Sequence, residues 1–391
     1  MNFHHLSISV LKVGRQLVGS LTVAAFFLSK KRQIKTLMHL STTFQKFETF
    51  GKFNTAVSTA RLHHSYLFIS FLFIFLQGCI REEDPVLPHA AGNVTARSIA
   101  LSSDYRSQVF YNLDKDSIIS GNLKTDWDIA FDVADVLAGQ NGIYTEGSKI
   151  YLNQAKYMFA WRTNKTELEQ LKDTVGFAKN RLWDASNNTD TMAIGGVKHQ
   201  NVAYWIDRGL NSFGDPLDFI RFKIVSVTKE KYTFKILREG ATVSEQFDIQ
   251  RDTNYNRVYF SFETKKAVRV EPKKTDWDLQ FTQYMHTFKD PYTPYLVVGV
   301  LLNPFSTQGV VDSSLTFEKI DKTVAQSFKL TNKIDVIGYD WKAFTGNIFK
   351  VQLKYNYIIN DQKGYFWKMR FVDFYDNRGT KGTPKFEYQR L

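Results

Sequence analysis

The chain has 391 residues and a formal charge of +12, but nine Lys and Arg against one acid fall before residue 79. From Cys79 onward 42 basic residues face 38 acidic ones, a charge of only +4. That balance gives no electrostatic reason for a nucleic-acid partner, and a single cysteine excludes a disulfide framework and a Cys-based zinc site.

Residues 1–78 read as a leader. A first apolar run, Gln16–Leu28, precedes Lys30-Lys31-Arg32. A second, Tyr66–Leu76, has no charge in it, follows Arg61, His63 and His64, and ends at Gln77-Gly78-Cys79. Both are short of the about 20 residues of a spanning helix. The second has the form of a lipoprotein signal, in which the cysteine becomes the lipid-bearing N-terminus. Its depth in the chain suggests a later start, Met38 or beyond, or else a long leader. Residues 79–97 then form a lipidated tether. Arg81-Glu82-Glu83-Asp84 resembles the surface-export signal of lipoproteins in one phylum of Gram-negative bacteria, and Pro85–Asn93 reads as a linker. The expected location is the outer membrane, lipid-anchored through Cys79 and facing outward.

One phrase then occurs twice. Residues 124–131 are Lys-Thr-Asp-Trp-Asp-Ile-Ala-Phe, and 274–281 are Lys-Thr-Asp-Trp-Asp-Leu-Gln-Phe. Strand-like runs follow each in the same order: Phe219–Val227 and Tyr232–Arg238 after the first, Ile348–Ile359 and Tyr365–Phe374 after the second. A self-match at this spacing suggests duplicated domains, 98–253 and 254–391. Trp127, Ile129 and Phe131 alternate onto one face, as do Phe349, Val351, Leu353 and Tyr355, and Tyr365, Trp367, Met369 and Phe371. Asn360–Gly364 reads as a hairpin loop. One short helix is expected over Lys165–Lys172, capped by Asn164 with Glu167. The fold class is therefore all-β: two tandem β-rich copies with one or two short helices. Asp126 with Asp128, or Asp276 with Asp278, are acids two apart on a strand, which share a solvent face and lack a third group to tune them for acid–base work. A structural role for the phrase, the Trp in a core and the acids at a turn, is preferred.

Three stretches resemble the HmuY family: Thr275–Tyr284, Tyr295–Pro304 and Phe366–Tyr375. The resemblance is clearest over 273–391 and fades toward 98. It implies an all-β surface lipoprotein that binds haem and passes it to an outer-membrane receptor of the TonB-dependent class. The founding member holds haem iron between two histidines, and some relatives use two methionines; both are sound axial ligands. Past the leader this chain has His89, His199 and His286, and Met158, Met192, Met285 and Met369. The resemblance points to His286 as an axial haem-iron ligand, with Met285 and Tyr284 beside it. No histidine follows His286, and neighbours on a strand point to opposite faces, so Met285 and His286 cannot be opposite axial ligands. Tyr284, Tyr292 and Tyr295 are candidates for an aromatic porphyrin wall.

No phosphate loop, His-Glu-x-x-His, Gly-x-Ser-x-Gly or cysteine nucleophile occurs past the leader, so no enzyme is expected. The sequence reads as a binding lipoprotein with haem, free or protein-bound, as cargo. The alternative is a structural, adhesive or glycan-binding β lipoprotein that has lost the haem ligands.

Overall fold

The computed structural model describes residues 94–133, 149–187, 192–194 and 201–391. The leader, Cys79, His89 and His199 lie outside them. The strands come in two series. The first is β1 (Thr95–Ser98), β2 (Ser107–Asn112), β3 (Ser117–Leu123), β4 (Ile129–Asp132), β5 (Ile150–Leu152), β6 (Phe159–Arg162), β7 (Ala203–Asp207), β8 (Phe219–Val227) and β9 (Lys231–Arg238). The second is β10 (Glu245–Gln250), β11 (Arg257–Ser261), β12 (Lys266–Val268), β13 (Leu279–Lys289), β14 (Tyr292–Leu302), β15 (Gln308–Asp312), β16 (Lys342–Thr345), β17 (Ile348–Val351), β18 (Asn356–Asn360), β19 (Phe366–Tyr375) and β20 (Lys381–Arg390). Only two short α-helices occur among the described residues, α1 (Phe177–Asn180) and α2 (Lys322–Ser327). The expected all-β class holds.

These strands build two sandwiches. One packs the sheet β12-β11-β4-β5 on β10-β9-β8-β7-β6, around Ile129, Phe131, Phe222, Phe234 and Phe260. The other packs β14-β13-β2-β3 on β1-β20-β19-β18-β15, around Tyr111, Phe281, Trp341, Phe371 and Phe386. Each sandwich therefore takes its first strands from one stretch and the rest from the other. β2 pairs with β13, Val109 opposite Phe281, and β11 pairs with β4, Phe260 opposite Ile129. β1 joins β20, and β10 joins β9. The boundary near 254 that the repeated phrase suggests is thus not a boundary between sheets. Among the described residues, the hairpin β16–β17 has no counterpart in the first series.

The repeated phrase sits at matching places. Asp128 donates its N–H to Phe260 O at 3.0 Å, and Asp278 donates to Tyr111 O at 2.9 Å. Asn153 ties down the first phrase through Lys124 O and Trp127 O, at 2.7 and 2.8 Å. Asn303 does the same through Lys274 O and Trp277 O, at 2.8 and 2.7 Å. Trp127 and Trp277 share one cluster with Phe110, Ala130, Tyr259 and Val270. That corrects the expected alternation: the turn before β4 puts Trp127 on the Ala130 side, away from Ile129 and Phe131, because the alternating pleat begins only at Ile129. The acids are not a shared solvent face either, since Asp126 is exposed while Asp128 and Asp278 are buried.

Two further expectations shift locally. The helix over 165–172 is a 3-10 turn, Leu168–Gln170, with the capping box made by Glu167 and Gln170 rather than Asn164. The run Ile348–Ile359 is split into β17 and β18 by a turn that leaves Leu353 64% exposed. The Asn360–Gly364 hairpin loop joins β18 to β19 as expected.

Candidate functional site

β13 and β14 form a long hairpin in which Tyr284 faces Val297 and His286 faces Tyr295. Period-two alternation sends Tyr284, His286 and Phe288 to one face and Met285 and Thr287 to the other. The two faces meet different surroundings. Met285 is fully buried with Phe159, Leu168, Phe177 and Trp205. Thr287 accepts the Trp183 indole N–H at 3.0 Å. Tyr284 and His286 open instead onto a cleft of about 160 Å³, whose far wall is the 335–340 loop with Asp335, Gly338, Tyr339 and Asp340.

Two glycines hold that wall in place. Val300 N–H donates to Gly338 O at 2.9 Å, and Gly338 N–H returns to Val300 O at 3.0 Å. Gly338 sits at φ +62°, in the left-handed region. A side chain at Gly299 would place Cβ 2.1 Å from Gly338 O, so the loop approaches β14 this closely only because residue 299 is glycine.

Within the cleft, the Tyr284 hydroxyl and His286 Nδ1 are buried without a hydrogen-bond partner. Orphaned buried polar atoms are uncommon and ask for a reason. His286 Nε2 lies 3.2 Å from Asn187 Nδ2. The same Asn187 side chain bonds both Thr287 O (2.9 Å) and Thr287 N–H (2.8 Å). The imidazole is ringed by Tyr339 at 4.9 Å and Phe288 at 5.2 Å, both edge-on. Burial lowers the His286 pKa below its ordinary value, against the pull of Asp335 and Asp340. Burial likewise raises the Asp335 carboxyl, pushes Tyr339 up to about 12, and pushes Tyr284 well above its usual range. The cleft thus presents a neutral imidazole among aromatic rings.

Of the residues singled out in the sequence, Tyr284 and His286 come together and Met285 is turned away. Met158 and Met369 are in the cores. Tyr295 is 60% exposed and touches Phe288, at 5.9 Å, while Tyr292 packs on Trp183, at 5.3 Å. Asp335, Gly338, Tyr339 and Asp340 carry no motif; they reach His286 from about fifty positions away through the Gly299–Gly338 approach and the Leu302 N–H to Ile334 O bond of 2.7 Å. Among the described residues, no three His, Cys, Asp or Glu side chains gather as a metal site. His286, with Tyr339 and Phe288 beside it, is the residue of this cleft that could hold a haem. The cleft is smaller than the about 300–1,000 Å³ of typical small-molecule sites, so a porphyrin would extend beyond it over that aromatic rim.

Fold and cleft together define an all-β protein with one accessible histidine in an aromatic-rimmed hollow. Residues 253–388 match the family described as HmuY protein, and this stretch is an HmuY domain. No curated protein matches the chain. Among solved structures it is similar to apo PinO from Porphyromonas gingivitis, at 9% identity over 77% of this chain and 98% of that one, TM-score 0.21. It is similar also to the apo HmuY analog of Tannerella forsythia, at 10% identity over 76% and 95%, TM-score 0.22. A third is a putative HmuY_like heme binding protein from Bacteroides vulgatus, at 11% identity over 76% and 91%, TM-score 0.18.

Proposed function

We propose that this protein is a lipid-anchored outer-membrane protein that binds haem at the His286 cleft and delivers it to an uptake receptor of the TonB-dependent class. The observation that carries the reading is His286 itself, a half-buried imidazole kept neutral by burial inside the HmuY domain. Neutral imidazole is the form that ligates iron. Ligation through Nε2 would displace the Asn187 amide and leave Nδ1 to donate toward the acids of the loop, the arrangement that orients a ligating histidine. We read residues 98–253 and 254–391 as two copies of one unit that trade their N-terminal strands, and Cys79 as the acylated residue. The family's members bind rather than catalyse, which fits the absence of catalytic motifs past the leader.

Hemin titrated into the purified full-length protein tests this, followed by the Soret band in both iron redox states. The expected result is a saturable shift that His286→Ala abolishes and Met285→Leu leaves intact. No shift in either state, or a shift indifferent to His286→Ala, would overturn the reading and favour the glycan-binding or adhesive alternative. Exposed Tyr292 and Tyr295 would then be its stacking surfaces. Cys79→Ala should release the protein from the membrane fraction.

A further inference from the structure

A larger cavity, about 470 Å³, lies between β10 and the β11–β12 hairpin of the other sandwich. Its volume falls in the range that holds small molecules. Ile249, Val258, Val268 and Val270 make it mostly apolar, and Arg257, Arg269, Asp252 and Glu271 bring charge into it. Arg257 lies 4.0 Å over the Tyr151 ring, and its Nε is buried with no hydrogen-bond partner. Arg269 lies 3.8 Å over Tyr255, with Nη1 4.0 Å from Asp252. Glu271 is 3% exposed and accepts the Arg257 N–H at 2.6 Å and Asn256 Nδ2 at 3.4 Å. The remaining acid on the wall, Asp248, is already engaged by Lys231 and Thr233.

The scaffold does not require these charges. The positions 150 earlier, on or beside the matching strands of the first series, are Ser102, Ser107, Ile119 and Gly121. Asp252, Arg257, Arg269 and Glu271 are thus a set particular to one sandwich, and the buried Glu271 carries the desolvation cost of a charge out of water. Burial pushes Glu271 up to about 7, the behaviour of a carboxyl held ready for a partner. The guanidinium groups suit a carboxylate. The two acids make the wall wrong for a simple anion and right for a ligand bearing both signs.

We infer that this cavity binds a zwitterion of amino-acid or dipeptide size. Its carboxylate sits on Arg257, its ammonium on Glu271, and an apolar side chain on Val268 and Val270, which pack with Tyr151 on the Arg257 face. This does not rest on the haem reading. Isothermal titration of the full-length protein with leucine, phenylalanine and leucyl-leucine tests it, against 4-methylpentanoate and isoamylamine, which each lack one charge. N-acetyl and amide derivatives separate a free amino acid from a peptide terminus. The expected result is saturable binding of a zwitterion, at least about tenfold tighter than either one-charge analogue. Arg257→Gln and Glu271→Gln should each weaken it at least about thirtyfold, and His286→Ala should leave it unchanged. If Arg257→Gln melts out, Arg269→Gln, on a more exposed side chain, should still weaken binding. No saturable binding by any of the three, equal binding of 4-methylpentanoate, or indifference to these substitutions would overturn the assignment.

Discussion

The aspartates at the centre of the two repeated phrases occupy the same backbone niche and live in opposite electrostatic surroundings. Asp128 Oδ2 accepts the Phe262 N–H at 2.7 Å, and Asp278 Oδ2 accepts the Leu113 N–H at 2.8 Å. Around Asp128 stand two buried cations, Lys156 in direct contact and Arg208 with Nε at 3.3 Å. Around Asp278 the position just past β18 that matches Arg208 is Asp361, an acid, and the one 150 beyond Lys156 is Ser306. Burial, with Asp361 adding to it, pushes Asp278 up to about 6. One niche thus uses its carboxylate as a counter-ion, and the other needs only a hydrogen-bond acceptor. The scaffold asks for the oxygen; the charge is a local addition.

The largest effect should come from breaking the first niche. Asp128→Asn leaves Lys156 buried without its direct carboxylate partner, while Arg208 keeps Asp218 at 2.6 Å and Glu263 at 3.2 Å. Removing one partner of a buried pair costs about 3–5 kcal/mol. Urea unfolding at pH 7 should show that loss, and Asp128→Asn with Lys156→Met should recover much of it. A loss under about 1 kcal/mol, within the range of a surface ion pair, would mean that the pair is not what holds the niche.

The second niche predicts the opposite sign. A carboxyl raised to about 6 when folded, against about 3.9 unfolded, binds more protons in the native state across that window. Stability from this group is present below the unfolded value and is lost as pH rises through the folded one. The loss is on the order of 2–3 kcal/mol. Asp184 and Glu271, also raised by burial, act in the same sense, so the measurement is a difference. Asp278→Asn should match the wild type near pH 4 and become the more stable protein by pH 7. A gap that stays constant with pH would show that Asp278 is not the titrating group.

The cleft offers a third, comparable effect. Gly299→Ala forces Cβ onto Gly338 O, a backbone atom that cannot swing aside as a flexible side chain would. Overpacking of this kind costs about 1–3 kcal/mol, and hemin affinity should fall with it, because the 335–340 wall must move. Position 149, its match in the first series, is Lys149, whose carbonyl pairs with Asp132 N–H at 2.9 Å.

Local pattern made some of this legible and not the rest. The strands Phe219–Val227 and Phe366–Tyr375 stand out because Phe, Ile, Trp and Met alternate over eight or more residues, a signal tertiary context reinforces. The parity of Met285 and His286 was legible for the same reason, and it put them on opposite faces. Leu353 misled because period two cannot register a turn inserted between β17 and β18. That β1–β3 lie in the sheets of β13–β20, and β10–β12 in those of β4–β9, left no trace in pattern, since a strand reads the same whichever neighbour it pairs with. Nor did Asp335, Arg257 or Glu271 announce themselves. Their meaning comes from burial, which is set by chain segments far away in sequence.

The smallest effect concerns how β1–β3 and β10 are fastened to their neighbouring strands. β1 and the β2–β3 turn are held to β20 by Asp116, which accepts the Tyr111 and Tyr388 hydroxyls at 2.5 Å each and Arg97 Nε at 2.8 Å. β10, the matching strand, adds rings to its polar contacts: Asp248 bonds Lys231 and Thr233 of β9, while Phe247 stacks on Phe234 at 5.6 Å and tilts on Phe260 of β11 at 5.0 Å. Polar fastening predicts that Asp116→Ala costs about 1–3 kcal/mol, because the two tyrosine hydroxyls lose their carboxylate and keep only each other, at 3.0 Å. Arg97→Ala should cost under about 1 kcal/mol, since that side chain is 45% exposed and its pairing is screened. Urea midpoints for the two variants, at low and high salt, separate these contributions. If Arg97→Ala proved as costly as Asp116→Ala, the exposed ion pair would be the fastener, and the tyrosines would merely fill space beside it.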